Sequence, residues 1–161
     1  MSKIKIDIAI SNEGFDAPSQ NEIFNWLNAL FEHKHIQQHK KVSREVSVSF
    51  CMIGFSQMQE LNKQYRQKDK PTNVLSFPCP IPNAPGGFLG DIVLCVPQIE
   101  REAKEQHKSL SFHWAHLILH GTLHLLGYDH ETEQEAIEME NLEVDLLAQL
   151  SMPNPYGALH E

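Results

Sequence analysis

The stretch His120-Gly-Thr-Leu-His124-Leu-Leu-Gly127-Tyr-Asp-His130 decides how the chain is read. His120 and His124 are four residues apart, one turn of a helix, so both imidazoles lie on one face. Such a pair grips one metal ion without rearranging the backbone. Gly127 then ends the helix, because glycine accepts the left-handed conformation that turns the chain back. His130 swings toward the same ion, which gives three neutral nitrogen ligands and one open position. A catalytic zinc is coordinated in this way, whereas structural sites close with four protein ligands, most of them cysteine. A single histidine on a half-buried helix is ordinarily a packing or surface residue. Three at these offsets, with a helix-ending glycine between the second and third, point to metal. Zinc is the expected ion, although imidazole also suits copper, nickel and iron.

Outward from this stretch, Ser109 or Ser111 caps the helix that carries the first two histidines. Before it, Pro97 suits the first turn of a helix reaching about His107. After it, Thr132 and Glu135 form a capping box for a last helix with Met139, Leu142, Leu146 and Leu150 inward, ended by Pro153 and Pro155. Leu89 to Val96 is mostly apolar and reads as a buried strand. The prolines from Pro78 to Pro85, with Gly86 and Gly87, make an irregular loop. Val74 to Phe77 is a short strand stopped by Pro78. Ser56 and Gln59 form a capping box for a short helix with Met58, Leu61 and Tyr65 on one side.

Two further strands alternate apolar and polar residues, at Val46, Val48 and Phe50 and at Ile4, Ile6, Ile8 and Ile10. Ser19 and Glu22 cap a helix whose apolar face is Ile23, Phe24, Leu27, Leu30 and Phe31. The linker from His33 to Arg44 reads as a solubilising loop, with phosphate contact by Lys34, Lys40 and Lys41 as its alternative. Four strands and four or five intervening helices predict an α/β architecture of the α+β type, with one mixed sheet. With 161 residues and no internal repeat, the expectation is a single domain over residues 1–161, large enough to bury a core without disulfides.

Cys51, Cys79 and Cys95 form no CxxC pair and cannot all pair within the molecule. Cys51 and Cys95 sit in apolar runs as small core residues, as expected of a reduced, cytosolic protein. The N-terminus lacks a signal peptide's apolar region, and no run approaches the roughly 18 apolar residues of a membrane span. The expectation is a soluble, cytoplasmic protein with no membrane partner. A net charge of −8 argues at first sight against nucleic acid. Yet residues 131–161 carry eight acidic side chains and no Lys or Arg, leaving 13 against 13 in the rest. Average charge therefore does not exclude RNA. The acidic tail reads as the solvated face of a helix. A docking face for a basic ribosomal protein, using Glu138, Glu140 and Glu143, is the alternative.

The three histidines and Gly127 occupy the offsets of the metzincin pattern H-E-x-x-H-x-x-G-x-x-H. The glutamate that serves those proteases as general base is here Gly121, which has no proton acceptor. Peptide hydrolysis by that route loses its base. The same stretch, His120-Gly-x-Leu-His124-Leu-x-Gly-Tyr-Asp-His130, closely resembles the signature of the YbeY family of rRNA maturation factors. Tyr65-Arg66-x-Lys68-Asp69-x-Pro71-Thr72-x-Val74-Leu75-Ser76-Phe77-Pro78 and Leu89-Gly90-Asp91-Ile92 resemble its other recognisable segments. The likeness spans residues 60 to 130 and, more loosely, the whole chain, with no departure at these positions.

The resemblance implies a zinc-dependent endoribonuclease that prefers single-stranded RNA, acts at the 3′ end of small-subunit rRNA and serves ribosome quality control. It implies His120, His124 and His130 as ligands of one zinc ion, and Arg66 as the basic residue of the cleft, with Arg66 and His120 as the catalytic pair. It also implies a cytoplasmic protein that meets the ribosome or ribosomal proteins. The residues are compatible with this role. Phosphoryl transfer depends mostly on positioning and charge stabilisation, and an arginine holds two phosphate oxygens at once. Taken alone, Arg66 reads as a surface ion pair with Asp69.

Lys68 and Lys70 extend a positive path for the RNA backbone or are simply solvated. Asp129 and Asp91 are candidate acceptors for a ligand histidine, and Asp129 equally a cap for the turn after Gly127. His113 and His116 share the helix face of His120. His116 is a substrate contact, a support for the ligands or a packing residue. Phe77 and Tyr128 stack on unpaired bases or pack in the core. Two rival functions remain at this level: a non-catalytic ribosome assembly factor with structural zinc, and a metallohydrolase of another bond.

Overall fold

The computed structural model describes residues 3–157; Glu161, counted in the acidic tail, lies outside them. Four strands form one mixed sheet: β1 (Lys5–Asn12), β2 (Glu45–Ile53), β3 (Val74–Pro78) and β4 (Phe88–Cys95), in the order β1-β2-β4-β3. β1, β2 and β4 run parallel, and β3 closes the edge antiparallel to β4. Six α-helices accompany them among the described residues: α1 (Gln20–Glu32), α2 (Lys34–Gln37), α3 (Phe55–Arg66), α4 (Val96–Glu105), α5 (Leu110–Leu125) and α6 (Glu133–Gln149). The α/β class and the single mixed sheet expected from periodicity are what the chain forms. α2 is a short addition inside the stretch read as a linker.

The central strands are covered on both sides. One face of β2 and β4, including Val48, Phe50, Ile92 and Leu94, joins the main core with α1, α5 and α6. On the other face, Ile53, Val93 and Cys95 meet Met58 of α3. β4 is near-continuously apolar because both its faces are buried. α5 is apolar almost all round for a related reason. It packs on β3 and β4 and also touches α1, α4 and α6.

Local signals fixed several boundaries. Ser109, rather than Ser111, caps α5 by accepting the Phe112 N–H at 3.2 Å. Thr132 and Glu135 cap α6 reciprocally, each bond 3.1 Å long. The capping box expected at Ser56 and Gln59 does not form. α3 starts earlier, with Gly54 as its cap residue, and the Gln57 side chain accepts the Gly54 N–H at 3.4 Å. The apolar side expected for this helix also fades along its length, since Met58 is buried, Leu61 half-buried and Tyr65 exposed.

Candidate metal centre

α5 ends as the motif requires. The Gly127 N–H donates to the His124 carbonyl at 3.0 Å and the Tyr128 N–H to the Leu123 carbonyl at 3.1 Å, with Gly127 at φ +102°. This is the Schellman closure, and it reverses the chain so that His130 returns to the helix it has just left. Lys41 strengthens the same end by donating to the Leu125 carbonyl at 3.3 Å. One lysine of the linker is therefore engaged in capping a helix rather than free for phosphate.

The three imidazoles converge. Each of His120, His124 and His130 offers one nitrogen, and these nitrogens all lie within 4.8 Å of one another. His120 Nε2 and His124 Nε2 are 3.1 Å apart. Two nitrogens on one tetrahedral ion, with bonds of about 2.0–2.1 Å, would be about 3.3 Å apart, so the pair is spaced to share a metal. Burial holds His124 below its ordinary pKa, and its neighbours His120 and His130 add to the effect. Both causes favour the neutral form that ligation needs.

Behind the ligands stands Glu143 of α6, wholly buried. Its two oxygens meet His120 Nδ1 at 2.7 Å and His116 Nε2 at 2.8 Å, and it accepts a further hydrogen bond from the Tyr156 hydroxyl. Burial alone would raise its pKa, but the bonds from His116 and His120 outweigh that and hold it down to about 2. An ionised carboxylate only accepts, so His120 carries its proton on Nδ1 and turns the lone pair of Nε2 toward His124. Burial, with the same carboxylate adding to it, pushes the Tyr156 hydroxyl above its ordinary pKa. The residues therefore fit a metal ion, in donor type, spacing and tautomer.

Glu143 is thus part of this centre and not of an acidic docking face. Its position in the sequence carries a signal, since it lies four residues after Met139 and three before Leu146, within the buried stripe of α6. Asp91, weighed as an acceptor for a ligand histidine, is exposed on β4. Asp129 serves the turn, accepting the His130 N–H at 2.8 Å, while its oxygen is 3.9 Å from His130 Nδ1. His116 supports Glu143 from behind the ligands.

The histidines open into a cavity of about 770 Å³ whose wall includes Arg66, Tyr65 and Phe77. Arg66 is at the end of α3, far from the histidines in sequence, and the fold brings the two blocks to one space. The ion pair with Asp69 is not made. Asp69 accepts instead from Gln59 Nε2 at 3.0 Å, and Arg66 has no ion pair among the described residues. Lys68 and Lys70 are exposed and do not line the cavity. Phe77 is half-buried and meets Tyr65 edge to face, whereas Tyr128 is half-buried against His39.

Gly121 faces the sheet, toward Ser76, which itself lines this cavity, and Ile92. A Cβ there would come within 3.1 Å of Ser76 Oγ and 3.2 Å of an Ile92 methyl, and Ser76 Oγ donates to the Gly121 carbonyl at 3.0 Å. The helix lies close on the sheet because this residue has no side chain.

Known proteins are similar to this one along nearly the whole chain. The endoribonuclease YbeY of Alteromonas mediterranea is 45% identical over 161 residues, covering 95% of this chain and 96% of its own. That of Cellvibrio japonicus is 43% identical over 157 residues, covering 97% and 85%. That of Francisella tularensis subsp. novicida is 42% identical, covering 97% and 94%. A solution structure of a Thermotoga maritima protein matches the fold with a TM-score of 0.57 at 23% identity, covering 91% of each chain. A family profile described as Endoribonuclease YbeY matches residues 8–151, which takes in the arginine, the three histidines and the glutamate behind them. On the strength of that match and of these relatives, the chain belongs to the endoribonuclease YbeY family.

Proposed function

We propose that this chain is a zinc-dependent endoribonuclease that cleaves single-stranded RNA at the three-histidine centre. The observation that carries the reading is the meeting of three convergent imidazoles and Arg66 in one cavity, in a chain whose relatives are named endoribonucleases. His120, His124 and His130 hold the ion. When bound, zinc supplies a Lewis acid for a phosphoryl oxygen and a water acidified toward a pKa of about 7.

The chain's own groups do the rest. Arg66 grips two non-bridging oxygens of the phosphodiester and offsets the charge that builds there in the transition state. Glu143 keeps His120 in the ligating tautomer and fixes its ring. No glutamate stands beside the ligands at position 121, which disfavours a protease. The substrate inferred is rRNA at the 3′ end of the small subunit, in the cytoplasm and in contact with ribosomal proteins. That setting rests on the family resemblance. No helix among the described residues is long and apolar enough to cross a membrane.

The test is cleavage of a single-stranded rRNA fragment by zinc-loaded protein, beside Arg66→Ala and His124→Ala. Both variants are expected to lose activity, while Arg66→Ala keeps its zinc. Equal cleavage by all three preparations, or none by the wild type, would refute the proposal. Chelation is expected to leave a folded but inactive protein, since none of the three ligands belongs to the apolar core. Unfolding would instead mark the zinc as structural.

A further inference from the structure

Tyr65 is the most exposed aromatic residue among the large hydrophobic side chains left at the surface, at 55%. It occupies a helix position where apolar neighbours one and two turns earlier, Leu61 and Met58, turn inward. The ring is not loose. It meets Phe77 edge to face, with centroids 5.2 Å apart and planes at 71°. Phe77 is itself anchored, packed against the second apolar cluster between α3 and the sheet. An edge-to-face contact uses at most one face of either ring, so Tyr65 keeps at least one flat face free of Phe77. Both rings line the cavity into which the three histidines open, and Arg66 follows Tyr65 immediately in the chain. Phe55, by contrast, has a cation over its ring, the Arg101 guanidinium at 5.2 Å.

From this placement we infer that Tyr65, braced by Phe77, is a stacking platform for one unpaired nucleobase of the substrate, next to the phosphate that Arg66 holds. The inference rests on the endoribonuclease reading and assigns to it a specificity-determining residue. Stacking needs a base withdrawn from its helix, so the platform selects unpaired RNA without reading its sequence. A paired base keeps its faces against its neighbours and has none to offer. The phenol hydroxyl is not needed, because the interaction is with the ring.

The experiment is steady-state cleavage, by the zinc-loaded full chain, of an unstructured RNA with one cleavage site. The same RNA is also made with a single abasic nucleotide at each position flanking that site. Tyr65→Ala is expected to raise KM by about tenfold to a hundredfold with little change in kcat, while Tyr65→Phe stays close to wild type. Zinc content is expected to be unchanged in both, and the melting temperature of Tyr65→Ala to fall by no more than a few degrees, since it loses only the contact with Phe77. At one flanking position the abasic substitution is expected to cost the wild type as much as Tyr65→Ala does, and to cost the variant nothing further. An unchanged KM in Tyr65→Ala, or abasic penalties that persist in full in that variant, overturns the platform while leaving the nuclease reading intact. A wild type that cleaves none of these RNAs overturns both.

Discussion

Two glutamates hold histidines of α5 from neighbouring helices, and they serve different ends. At the helix start, His113 Nε2 meets Glu102 of α4 at 2.8 Å. Two turns later on the same face, His120 Nδ1 meets Glu143 of α6 at 2.7 Å. Both glutamates would be raised by burial, and both are held instead at about 2, chiefly by bonds from histidine. The electrostatics of the two pairs are thus alike. The far side of each imidazole is not. The remaining nitrogen of His113 is buried and has no hydrogen-bond partner among the described residues, whereas His120 is a quarter exposed and turns its Nε2 toward His124 and the cavity. Glu102 uses its other bonds to hold Asn73 and Gln98, so it ties the start of β3 to α4. A strongly shifted carboxylate beside a histidine therefore marks a tie or a ligand support. The open nitrogen tells them apart.

The sharpest way to break this comparison is to neutralise each glutamate and measure zinc affinity. Glu143→Gln is expected to weaken zinc binding about tenfold to a hundredfold in a competition titration with a chromophoric chelator. Glu102→Gln is expected to leave it unchanged, and an equal loss from both would erase the distinction. A smaller effect should appear in stability. Glu102→Ala removes the acceptor for His113 and Asn73, and urea unfolding is expected to show a loss of about 1–3 kcal/mol with zinc affinity preserved. The smallest effect is in acid. Because the folded protein holds Glu102 below the ordinary value of 4.5, the stability it adds is complete above that pH and fades as pH falls toward about 2. Stability curves of wild type and Glu102→Gln are therefore expected to converge through that window. Curves that stay parallel there would mean that Glu102 gains no such stabilisation on folding.

How much of this could be read from the sequence depends on the range of each signal. The histidines were legible because helix spacing and Gly127 are local, and the closure of α5 needs only residues 123–128. The sheet was legible because β1 and β2 alternate and β4 is mostly apolar. Arg66 had no such local mark. It stood out only through the family segment around it, since its approach to the histidines depends on the packing of α3 and α5 across the sheet. Glu143 was misread as one charge among many in an acidic helix. Its inward position beside Met139 and Leu146 was visible, but only a long-range contact explains why a carboxylate sits there. The box at Ser56 and Gln59 shows the opposite fault: a correct-looking pattern was displaced two residues by a glycine cap, with Gln57 in the role expected of Gln59. Tyr65 fitted an apolar face by spacing, yet that face leaves the core before reaching it.

Gly121 limits how the centre can be redesigned. Its carbonyl accepts from Ser76, and the space a side chain would fill is held by Ser76 and Ile92. Installing glutamate there, to recreate the protease pattern, would bring its Cβ within 3.1 Å of Ser76 Oγ and 3.2 Å of an Ile92 methyl, so both side chains would have to give by a few tenths of an ångström. The chemistry of the pocket is thus constrained by how closely α5 sits against Ser76 and Ile92. Converting one hydrolase type into the other would require room at Ser76 and Ile92 as well as exchanging one residue.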